Sequence, residues 1–307
     1  MNSGSTPIVL FVYNRPWHVQ QTIEALLKND LATESDLIVF SDGQKREEDA
    51  PLIAKVREYV RSISGFRSVR VVEREFNLGL GNSIIAGVSE VVNEYGRLIV
   101  MEDDLITSPF FLRYMNDALE YYENEDQVIS IHGYCYPING LPETFFIKGA
   151  DCLGWGTWKR GWDFFEGDGR KLLEQLEQKG LLNRFDFFGT YGYSQMLRGQ
   201  IDGKNTSWAV RWYASALLND KLTLYPGQSL VFHNGADESG TNCSSAESYL
   251  DVVLCDKPVR VGTIEVSENL LALEQFQHFF RTISNPSWHV RIRRKAGRII
   301  KKLSQLK

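Results

Sequence analysis

The sequence predicts an α/β fold in which a mostly parallel sheet is flanked by helices. In the first half of the chain, short apolar segments alternate with longer segments of helical periodicity. Each apolar segment is too short for a helix of usual length, so we expect buried strands there. Four strand–helix units in succession favour a parallel sheet with helices on both faces. A length of 307 residues and a hydrophobic content of 43% are sufficient for one large domain with a sizeable core.

Turn and capping signals separate these elements in order. Pro16 follows the first strand and is placed to open a helix, and Pro109 has the same position before the fourth helix. The polar turn Ser41-Asp42-Gly43 ends the second strand. The predicted elements are, in chain order, strand Ile8–Tyr13, helix Trp17–Asn29, strand Leu37–Ser41, helix Asp49–Ser62, strand Val69–Glu73, helix Leu80–Asn93, strand Leu98–Met101 and helix Phe110–Glu123.

Polar residues follow each predicted strand, at the point where the strand leaves the sheet. Ligands of open α/β sheets bind beyond the carboxyl ends of the strands, so these residues are candidates for a binding site. The acidic triplet after the fourth strand is the most unusual, because three adjacent carboxylates repel one another unless a cation or hydrogen-bond donors compensate. A solvated acidic turn is the alternative. The candidates are Tyr13, Asn14, Arg15, Asp42, Asn77, Gly79, Gly81, Asn82, Glu102, Asp103 and Asp104.

The triplet Glu102–Asp104 is suited to a hard divalent cation. No histidine lies within helical or turn spacing of it, which argues against a zinc site. Oxygen ligands suit Mg²⁺ or Mn²⁺, which bind one or two carboxylates together with phosphate oxygens and waters. A carboxylate–metal site beside a glycine-containing helix start therefore points to a bound diphosphate, whose departure the metal would assist.

Missing motifs argue against several classes of protein. The third glycine of a dinucleotide-binding GxGxxG would fall at Ile84, and the segment follows the third strand rather than the first. The sequence contains no GxxxxGK[ST] phosphate loop and no GxSxG nucleophile turn. The four cysteines are widely spaced and form no CxxC pair, which fits a reducing compartment. The chain outside its basic C-terminal segment is strongly acidic, which argues against a nucleic-acid partner.

Four motifs at strand ends occur in a characteristic order. They are Asn14-Arg15-Pro16, Ser41-Asp42-Gly43, Asn77–Ser83 and Glu102-Asp103-Asp104. In combination they resemble GT-A-type glycosyltransferases, and most of all the branch of N-acetylglucosaminyltransferases with an EDD motif and its bacterial relatives, over roughly residues 6–245. The resemblance implies a GT-A-like fold in which Asp42 contacts the base or ribose and Asp104 binds the metal. It also implies that Glu102 and Asp103 shape the ribose–phosphate end of the site.

The aromatic second half supports this resemblance. The segment Gly154-Trp155-Gly156-Thr157-Trp158 resembles the family's G-W-x-x-W segment near the donor sugar. Later landmarks are Ser207–Trp212, Tyr225-Pro226 and His233-Asn234-Gly235. The resemblance implies that His233 is a further metal ligand or phosphate contact, with a buried hydrogen-bonded histidine as the alternative. Core packing is the alternative for the aromatic residues. The residues implied for the donor or acceptor sugar are Gly154, Trp155, Trp158, Trp208 and Arg211.

The resemblance leaves the catalytic base unassigned. The EDD branch has an aspartate directly before the tryptophan that matches Trp208, whereas this sequence has Ser207 there. A serine hydroxyl is not a credible general base at neutral pH. The candidates are Asp237, Asp202 and Glu238. We prefer Asp237, because it lies in a glycine-containing segment after an apolar strand.

The C-terminal segment differs in charge from the rest of the chain. Ser287–Lys307 contains eight Lys and Arg residues and no Asp or Glu, which leaves −13 for the remainder. Its apolar residues fall on one helical face, a pattern that suits an anionic membrane surface; a solvated or partner-docking helix is the alternative. We expect a GT-A-like domain at residues 1–265, with a nucleotide-binding half (about 6–133) and an acceptor half (about 134–265). Residues 266–307 then form a helical extension.

These observations predict a metal-dependent glycosyltransferase that uses Mn²⁺ or Mg²⁺. The resemblance implies that it moves a sugar from a nucleotide-diphosphate sugar, with a UDP-sugar as first choice, to a saccharide or lipid-linked saccharide in bacterial surface-polysaccharide synthesis. We expect it in the cytoplasm or on the inner face of the membrane, since the sequence has neither a signal peptide nor a membrane-spanning run. One alternative is a sugar-phosphate nucleotidyltransferase, which would have a Gly-rich loop after the first strand; the segment Tyr13–Pro16 does not match such a loop. The other alternative is a non-catalytic carbohydrate- or nucleotide-binding relative.

Overall fold

The computed structural model describes residues 5–235 and 252–284. Ten strands and ten α-helices lie in this part of the chain. The strands are β1 Ile8–Val12, β2 Asp36–Ser41, β3 Ser68–Glu73, β4 Arg97–Glu102, β5 Leu105–Thr107, β6 Val128–His132, β7 Thr144–Lys148, β8 Trp155–Trp158, β9 Leu222–Pro226 and β10 Val231–His233. The helices are α1 Pro16–Leu26, α2 Ala50–Ser62, α3 Leu80–Tyr95, α4 Phe111–Tyr121, α5 Lys159–Trp162, α6 Gly169–Gln178, α7 Leu182–Phe185, α8 Tyr193–Ile201, α9 Ala209–Leu218 and α10 Leu270–Ser284.

Eight strands form one sheet in the order β3-β2-β1-β4-β8-β6-β9-β7, and β5 and β10 form a small second sheet. The first four strands of the large sheet are all parallel. Strand β8 is antiparallel to both of its neighbours, β6 is parallel to β9, and β7 is antiparallel to β9. The predicted α/β fold class, with a mostly parallel sheet between helices, is therefore confirmed.

All eight elements predicted for the first half are present. Helix α1 begins at Pro16, as expected for a residue that lacks a backbone N–H. Helix α3 follows Gly79, which has a φ of 73°, and ends at Gly96 in the left-handed region. Both positions favour glycine, because a Cβ is strained at positive φ. These local signals explain why the sequence predicted the boundaries well.

The sheet is buried on both faces. One face packs against α1, α2 and α4, with Leu10, Met101 and Met115 in its core. The other face packs against α3 and α9, with Phe11 and Phe40 stacked at a centroid distance of 5.4 Å. Gly87 of α3 lies directly on these two rings, and a Cβ there would be 2.7 Å from Phe11. The hydrophobic character of the parallel strands follows from this two-sided burial.

The described part of the C-terminal region packs onto the same body. Helix α10 buries Phe276 and Phe280 in a core shared with Phe145 and Tyr225. Glu268 accepts hydrogen bonds from the backbone N–H of Lys148 and from Arg184. The predicted division at residue 265 stays a prediction, and the basic segment 287–307 lies outside the described residues. No described helix is both long enough and apolar enough to span a membrane.

Candidate active site

The carboxyl ends of the four parallel strands meet at one edge of the sheet. Val12 pairs with Ser41, and Phe11 pairs with Glu102. The residues that follow these strands therefore lie side by side, as the sequence predicted for Tyr13, Asp42 and Asp103. Adjacent strands are about 4.8 Å apart, so side chains from neighbouring ends can contact one another.

Arg15 connects the first strand end to the acidic triplet. Its Nη1 atom lies 2.6 Å from Oδ2 of Asp104 and 3.3 Å from Oδ1 of Asp103. The backbone of the triplet is also fixed, because the hydroxyl of Thr22 donates to the carbonyl of Asp103 at 2.8 Å. The charge repulsion expected within the triplet is thus partly compensated by a cation from the neighbouring turn.

The small sheet brings His233 to the same carboxylate. Strand β10 is antiparallel to β5, and His233 pairs with Leu105, directly after Asp104. The Nε2 atom of His233 lies 3.3 Å from Oδ2 of Asp104. The backbone N–H of Asn234 also donates to the Asp104 carbonyl at 3.0 Å. Two predicted metal ligands that are far apart in the sequence are therefore neighbours in space.

Gly235 completes the surroundings of Asp104. A Cβ at this glycine would be 2.1 Å from Oδ2 of Asp104 and 2.9 Å from Nε2 of His233. Any side chain would occupy the space that these two groups face. In the described residues, no group of three or more His, Cys, Asp and Glu side chains is arranged to hold a metal ion. Asp104 and His233 therefore offer a pair of ligands, which suits a cation that takes its remaining ligands from phosphate and water.

The three carboxyl groups differ in their protonation. Burial, then the charges of Asp104 and Asp103, raise the pKa of Glu102 to about 8. Burial and the charge of Asp104 likewise raise the pKa of Asp103. For Asp104, burial acts to raise the pKa, but hydrogen bonds and charge from His233 and Arg15 outweigh it and lower the pKa. The negative charge of the triplet is therefore concentrated on Asp104.

Asp42 is buried and holds the loop before α3. Its carboxylate accepts from the backbone N–H of Leu78 at 3.0 Å and of Gly79 at 3.0 Å. The side-chain amide of Asn77 donates to it at 3.1 Å. Gly43 permits this approach, because a Cβ there would be 2.4 Å from the backbone of Phe76. The predicted residues Asp42, Asn77 and Gly79 thus form one unit that joins the second and third strand ends.

Asp49 is a residue of this edge that the sequence did not reveal. It accepts from the hydroxyl of Tyr13 at 2.9 Å and from the amide of Asn14 at 3.0 Å. Hydrogen bonds from Arg46 lower the pKa of Asp49 to about 2, with those from Tyr13 and Asn14 contributing. Asp49 lies just before α2, and only the fold brings it to the first strand end. No local sequence signal identifies it as a partner of Tyr13 and Asn14.

Gly81 and Asn82 have structural contacts on α3. A Cβ at Gly81 would be 2.7 Å from the carbonyl oxygen of Thr206, so this glycine allows α3 to pack against the segment before α9. The amide of Asn82 donates to the Leu78 carbonyl within the first helical turn. Arg74 is an additional cation here, with its Nη1 atom 2.9 Å from the hydroxyl of Ser83.

The tryptophans predicted to contact sugar lie in the core. Trp155, Trp158 and Trp208 are 0%, 3% and 4% exposed. Trp155 stacks on Trp208 at a centroid distance of 5.4 Å. Their faces are covered by other side chains, which matches the core-packing alternative. Arg211 donates to the carbonyls of Ser207 and Gly167, so its guanidinium also holds the local backbone.

Gly154 lies close to the small sheet. It has a φ of 63°, and a Cβ there would be 2.7 Å from Cγ2 of Val231. Of the three predicted candidates for the base, Asp202 is half-exposed and pairs with Lys204 at 2.9 Å. Asp237 and Glu238 lie outside the described residues.

The family of the chain is established by comparison with known proteins. The model of glycosyl transferase family 2 matches residues 8–175, more than half of the chain. The protein therefore belongs to glycosyl transferase family 2, and its sheet is of the GT-A type that the sequence predicted. A search of curated proteins found no match.

Several solved structures resemble the chain at low identity. One is S. aureus TarS 1–349, with 11% identity, coverage of 92% of this chain and 72% of that chain, and a TM-score of 0.43. Another is the mannosyltransferase PcManGT from Pyrobaculum calidifontis in complex with GDP-Man and Mn²⁺, with 10% identity, coverage of 56% and 46%, and a TM-score of 0.33. A third is S. aureus TarS 1–349 in complex with UDP, with 14% identity, coverage of 45% and 38%, and a TM-score of 0.32. The chain spans less than half the length of the second and third of these structures.

Proposed function

We propose that this protein transfers a sugar from a nucleotide-diphosphate sugar, with a UDP-sugar as first choice, to a saccharide or lipid-linked saccharide acceptor. The observation that carries this proposal is the meeting of Asp104, His233 and Gly235 at the carboxyl edge of the sheet. Asp104 and His233 lie 3.3 Å apart, and Gly235 approaches both, since a Cβ there would be 2.1 Å from Oδ2 of Asp104 and 2.9 Å from Nε2 of His233. Membership of glycosyl transferase family 2 supports the same reaction class.

The donor set at this edge fits Mn²⁺ or Mg²⁺. Asp104 and His233 would hold the cation, and a low pKa keeps the Asp104 carboxylate ionised near neutral pH. The bound cation would stabilise the negative charge that develops on the departing diphosphate. Arg15 balances the charge of the triplet and fixes the orientation of Asp104. Glu102 and Asp103 lie beside it and would position the ribose–phosphate part of the donor.

The remaining strand ends would bind the nucleoside. Tyr13 and Asn14 are held in place by Asp49, and Asp42 fixes the loop that begins α3. A set of side chains that is already hydrogen-bonded loses little conformational entropy when a ligand binds. The gathering of these groups beside Asp104 supports a nucleotide site at this edge, in keeping with ligand binding at the carboxyl ends of parallel strands.

The finer assignments belong to the same proposal. They are membership of the EDD branch, a role in bacterial surface-polysaccharide synthesis, and a peripheral position on the membrane through residues 287–307. The basic composition of that segment supports the last of these. Flotation with anionic vesicles would test it, since a variant that ends at residue 286 should lose binding to such vesicles.

A non-catalytic nucleotide- or carbohydrate-binding protein is the second candidate. Ser207 favours it, because the EDD branch has a catalytic aspartate at that position. In this structure the Ser207 hydroxyl accepts from the backbone N–H of Val210 at 3.2 Å, which holds the turn that leads into α9. Turnover distinguishes the two candidates, since a binding relative would take up the nucleotide sugar without releasing nucleoside diphosphate.

The test is nucleoside diphosphate release from UDP-glucose, UDP-galactose, UDP-N-acetylglucosamine and GDP-mannose with Mn²⁺, each offered with alkyl glycosides as acceptors. We expect release with at least one donor, and a loss on the order of 100-fold in Asp104→Asn. Asp163→Asn is the matched control, because this exposed aspartate pairs only with Lys159 on α5 within the described residues. Absence of release with every donor, or equal rates in Asp104→Asn and the control, would contradict the proposal.

A further inference from the structure

Neither Ser207 nor Asp202 is placed to act as the catalytic base, because each has a structural partner. The Ser207 hydroxyl accepts from the backbone N–H of Val210 in the first turn of α9, and Asp202 forms an exposed ion pair with Lys204. A base must instead reach the edge of the sheet where the donor binds. One described carboxylate on the acceptor half has this position, at Asp151.

Asp151 lies in the segment that leads into β8. Trp155, the first residue of β8, pairs with Val100 on one side and His132 on the other. The start of β8 is therefore at the same edge as the end of β4, where the acidic triplet begins. Just before it, Gly154 approaches Val231, the first residue of β10. Two residues further along β10, His233 lies 3.3 Å from Asp104. The segment that carries Asp151 and the proposed metal-binding pair therefore meet the same short strand.

The carboxylate of Asp151 has capacity to accept a further proton donor. Its Oδ1 atom accepts from the backbone N–H of Cys152 at 2.8 Å. Its Oδ2 atom lies 3.4 Å from the hydroxyl of Tyr225, which is long for an O–H···O bond. The side chain is 21% exposed, and no Lys or Arg among the described residues forms an ion pair with it. It is thus a partly buried carboxylate that pairs with no Lys or Arg in the described part of the chain.

His132 supports Asp151 without replacing it as a base. Its Nε2 atom is 3.9 Å from Oδ1 of Asp151 and accepts from the backbone N–H of Leu153 at 3.0 Å. Burial lowers the pKa of His132, so the imidazole is neutral near pH 7. With Nε2 already engaged by Leu153, this histidine holds the segment in place.

Tyrosine hydroxyls surround the pocket beside Asp151. Tyr136, Tyr193, Tyr213 and Tyr225 line it, and burial raises the pKa of all four, so they remain neutral hydroxyls. Tyr213 is 5% exposed, and its hydroxyl has no hydrogen-bond partner among the described residues. The pocket has a volume of about 10 Å³. That is room for one water-sized group and not for a sugar ring.

A sugar hydroxyl complements this pair of groups. It can donate its proton to the Asp151 carboxylate and accept a hydrogen bond from Tyr213, which satisfies the buried tyrosine. We propose that Asp151 is the catalytic base of the transfer, and that Tyr213 helps to hold the acceptor hydroxyl. This inference rests on the proposed function. The acceptor oxygen would bond to the anomeric carbon as its proton passes to Asp151, and the bond from that carbon to the diphosphate oxygen would break, with the electron pair leaving on the nucleoside diphosphate.

The test compares Asp151→Asn, Asp151→Glu and Asp163→Asn in the full chain, with the donor panel, alkyl glycosides and Mn²⁺. We expect Asp151→Asn to lower kcat by about 10²- to 10⁴-fold, while the Kd for the nucleotide sugar by calorimetry stays within twofold of the wild type. Asp151→Glu keeps a carboxylate and should retain more activity than Asp151→Asn. Tyr213→Phe should raise KM for the acceptor with little change in the Kd for the donor.

Asp151→Asn with more than a tenth of the wild-type kcat would overturn the inference, as would a loss of donor binding equal to the loss of kcat. If Asp151→Asn does not fold, Asp151→Glu and Tyr213→Phe replace it as the test. A wild-type kcat in Asp151→Glu together with a wild-type acceptor KM in Tyr213→Phe would overturn the inference. A wild-type protein that releases no nucleoside diphosphate from any donor contradicts the proposed function itself. A wild type that is active beside an equally active Asp151→Asn contradicts only the role of Asp151.

Discussion

The guanidinium of Arg15 lies 2.6 Å from the carboxylate of Asp104, and this ion pair joins the first strand end to the fourth. His233 approaches the same oxygen from the opposite part of the chain. One atom, Oδ2 of Asp104, therefore receives a contact from each half of the protein. Arg15 and His233 together lower the pKa of Asp104, so the carboxylate at the centre of the candidate site is ionised.

Removal of the Arg15 cation should destabilise the fold. Arg15 and Asp104 side chains are 12% and 14% exposed, and the loss of one partner leaves a buried charge that is not compensated. We expect Arg15→Gln to lower the free energy of unfolding by about 3 kcal/mol, measured by urea denaturation. Lys159→Gln breaks an exposed pair and should cost less than about 1 kcal/mol. Equal losses in the two variants would contradict the importance of the Arg15 pair.

Gly235 should tolerate no side chain. Because a Cβ would be 2.1 Å from Oδ2 of Asp104, Gly235→Ala must displace the carboxylate or the strand that carries His233. We expect Mn²⁺ affinity to fall at least about tenfold, or about 1.4 kcal/mol, in calorimetry. Gly262→Ala is the control, since no atom of residues 5–235 or 252–284 lies within 4 Å of a Cβ there. Unchanged Mn²⁺ binding in Gly235→Ala would show that the space before Asp104 is not a metal site.

Gly81→Ala should reverse the usual effect of this substitution in a helix. Alanine ordinarily stabilises a helix interior by about 1 kcal/mol relative to glycine. Here the new Cβ would meet the backbone carbonyl of Thr206 at 2.7 Å, so α3 and the segment before α9 must separate. Thermal unfolding should show a lower Tm for Gly81→Ala than for the wild type. A raised Tm would mean that the contact relaxes without cost.

The loop before α3 should depend on the charge of Asp42. Its carboxylate accepts backbone N–H groups of Leu78 and Gly79 in a buried setting. Asp42→Asn replaces charge-assisted hydrogen bonds with weaker ones and should cost about 2 kcal/mol in urea denaturation. Asp163→Asn removes a carboxylate from the surface and should leave stability nearly unchanged. A cost no larger than that of the control would contradict this role of Asp42.

Asp49 should make stability depend on acid pH. Its pKa is about 2 in the folded protein, below its ordinary value of 3.8, so its ionised form is favoured by folding. This contribution is complete above about pH 4 and is lost as the pH falls towards 2. Asp49→Asn should therefore lose stability at neutral pH and show a flatter decline between pH 4 and 2. A decline as steep as that of Asp163→Asn over this interval would contradict the assignment.

The strands and helices of the first half were predictable because their signals are local. Pro16 opens α1 and Gly79 precedes α3, each through its own backbone preferences. The grouping of strand ends was also predictable, since parallel strands have their carboxyl ends at one edge. The partners of these residues were not predictable, because Asp49 meets Tyr13 and Asn14 only through contacts between distant segments.

The tryptophans show a second limit of the sequence. Trp155 and Trp208 are equally suited by composition to stack on a sugar or to fill a core, and only the fold shows how far each ring is buried. The fold places them under α3 and α9, where they stack on each other. The close approach of Gly235 to Asp104 likewise could not be predicted from the sequence. The His233-Asn234-Gly235 segment resembles a landmark of the family, but its contact with Asp104 depends on the pairing of β10 with β5.

Calorimetric titration of the full chain with UDP-sugars and GDP-mannose, with and without Mn²⁺, tests the central claim most directly. We predict that at least one nucleotide sugar binds in the presence of Mn²⁺, and that its affinity falls at least about tenfold without the metal or in Asp104→Asn. Asp163→Asn should bind as the wild type does. Equal affinity with and without Mn²⁺, or an unchanged affinity in Asp104→Asn, would contradict a metal-assisted nucleotide-sugar site at Asp104.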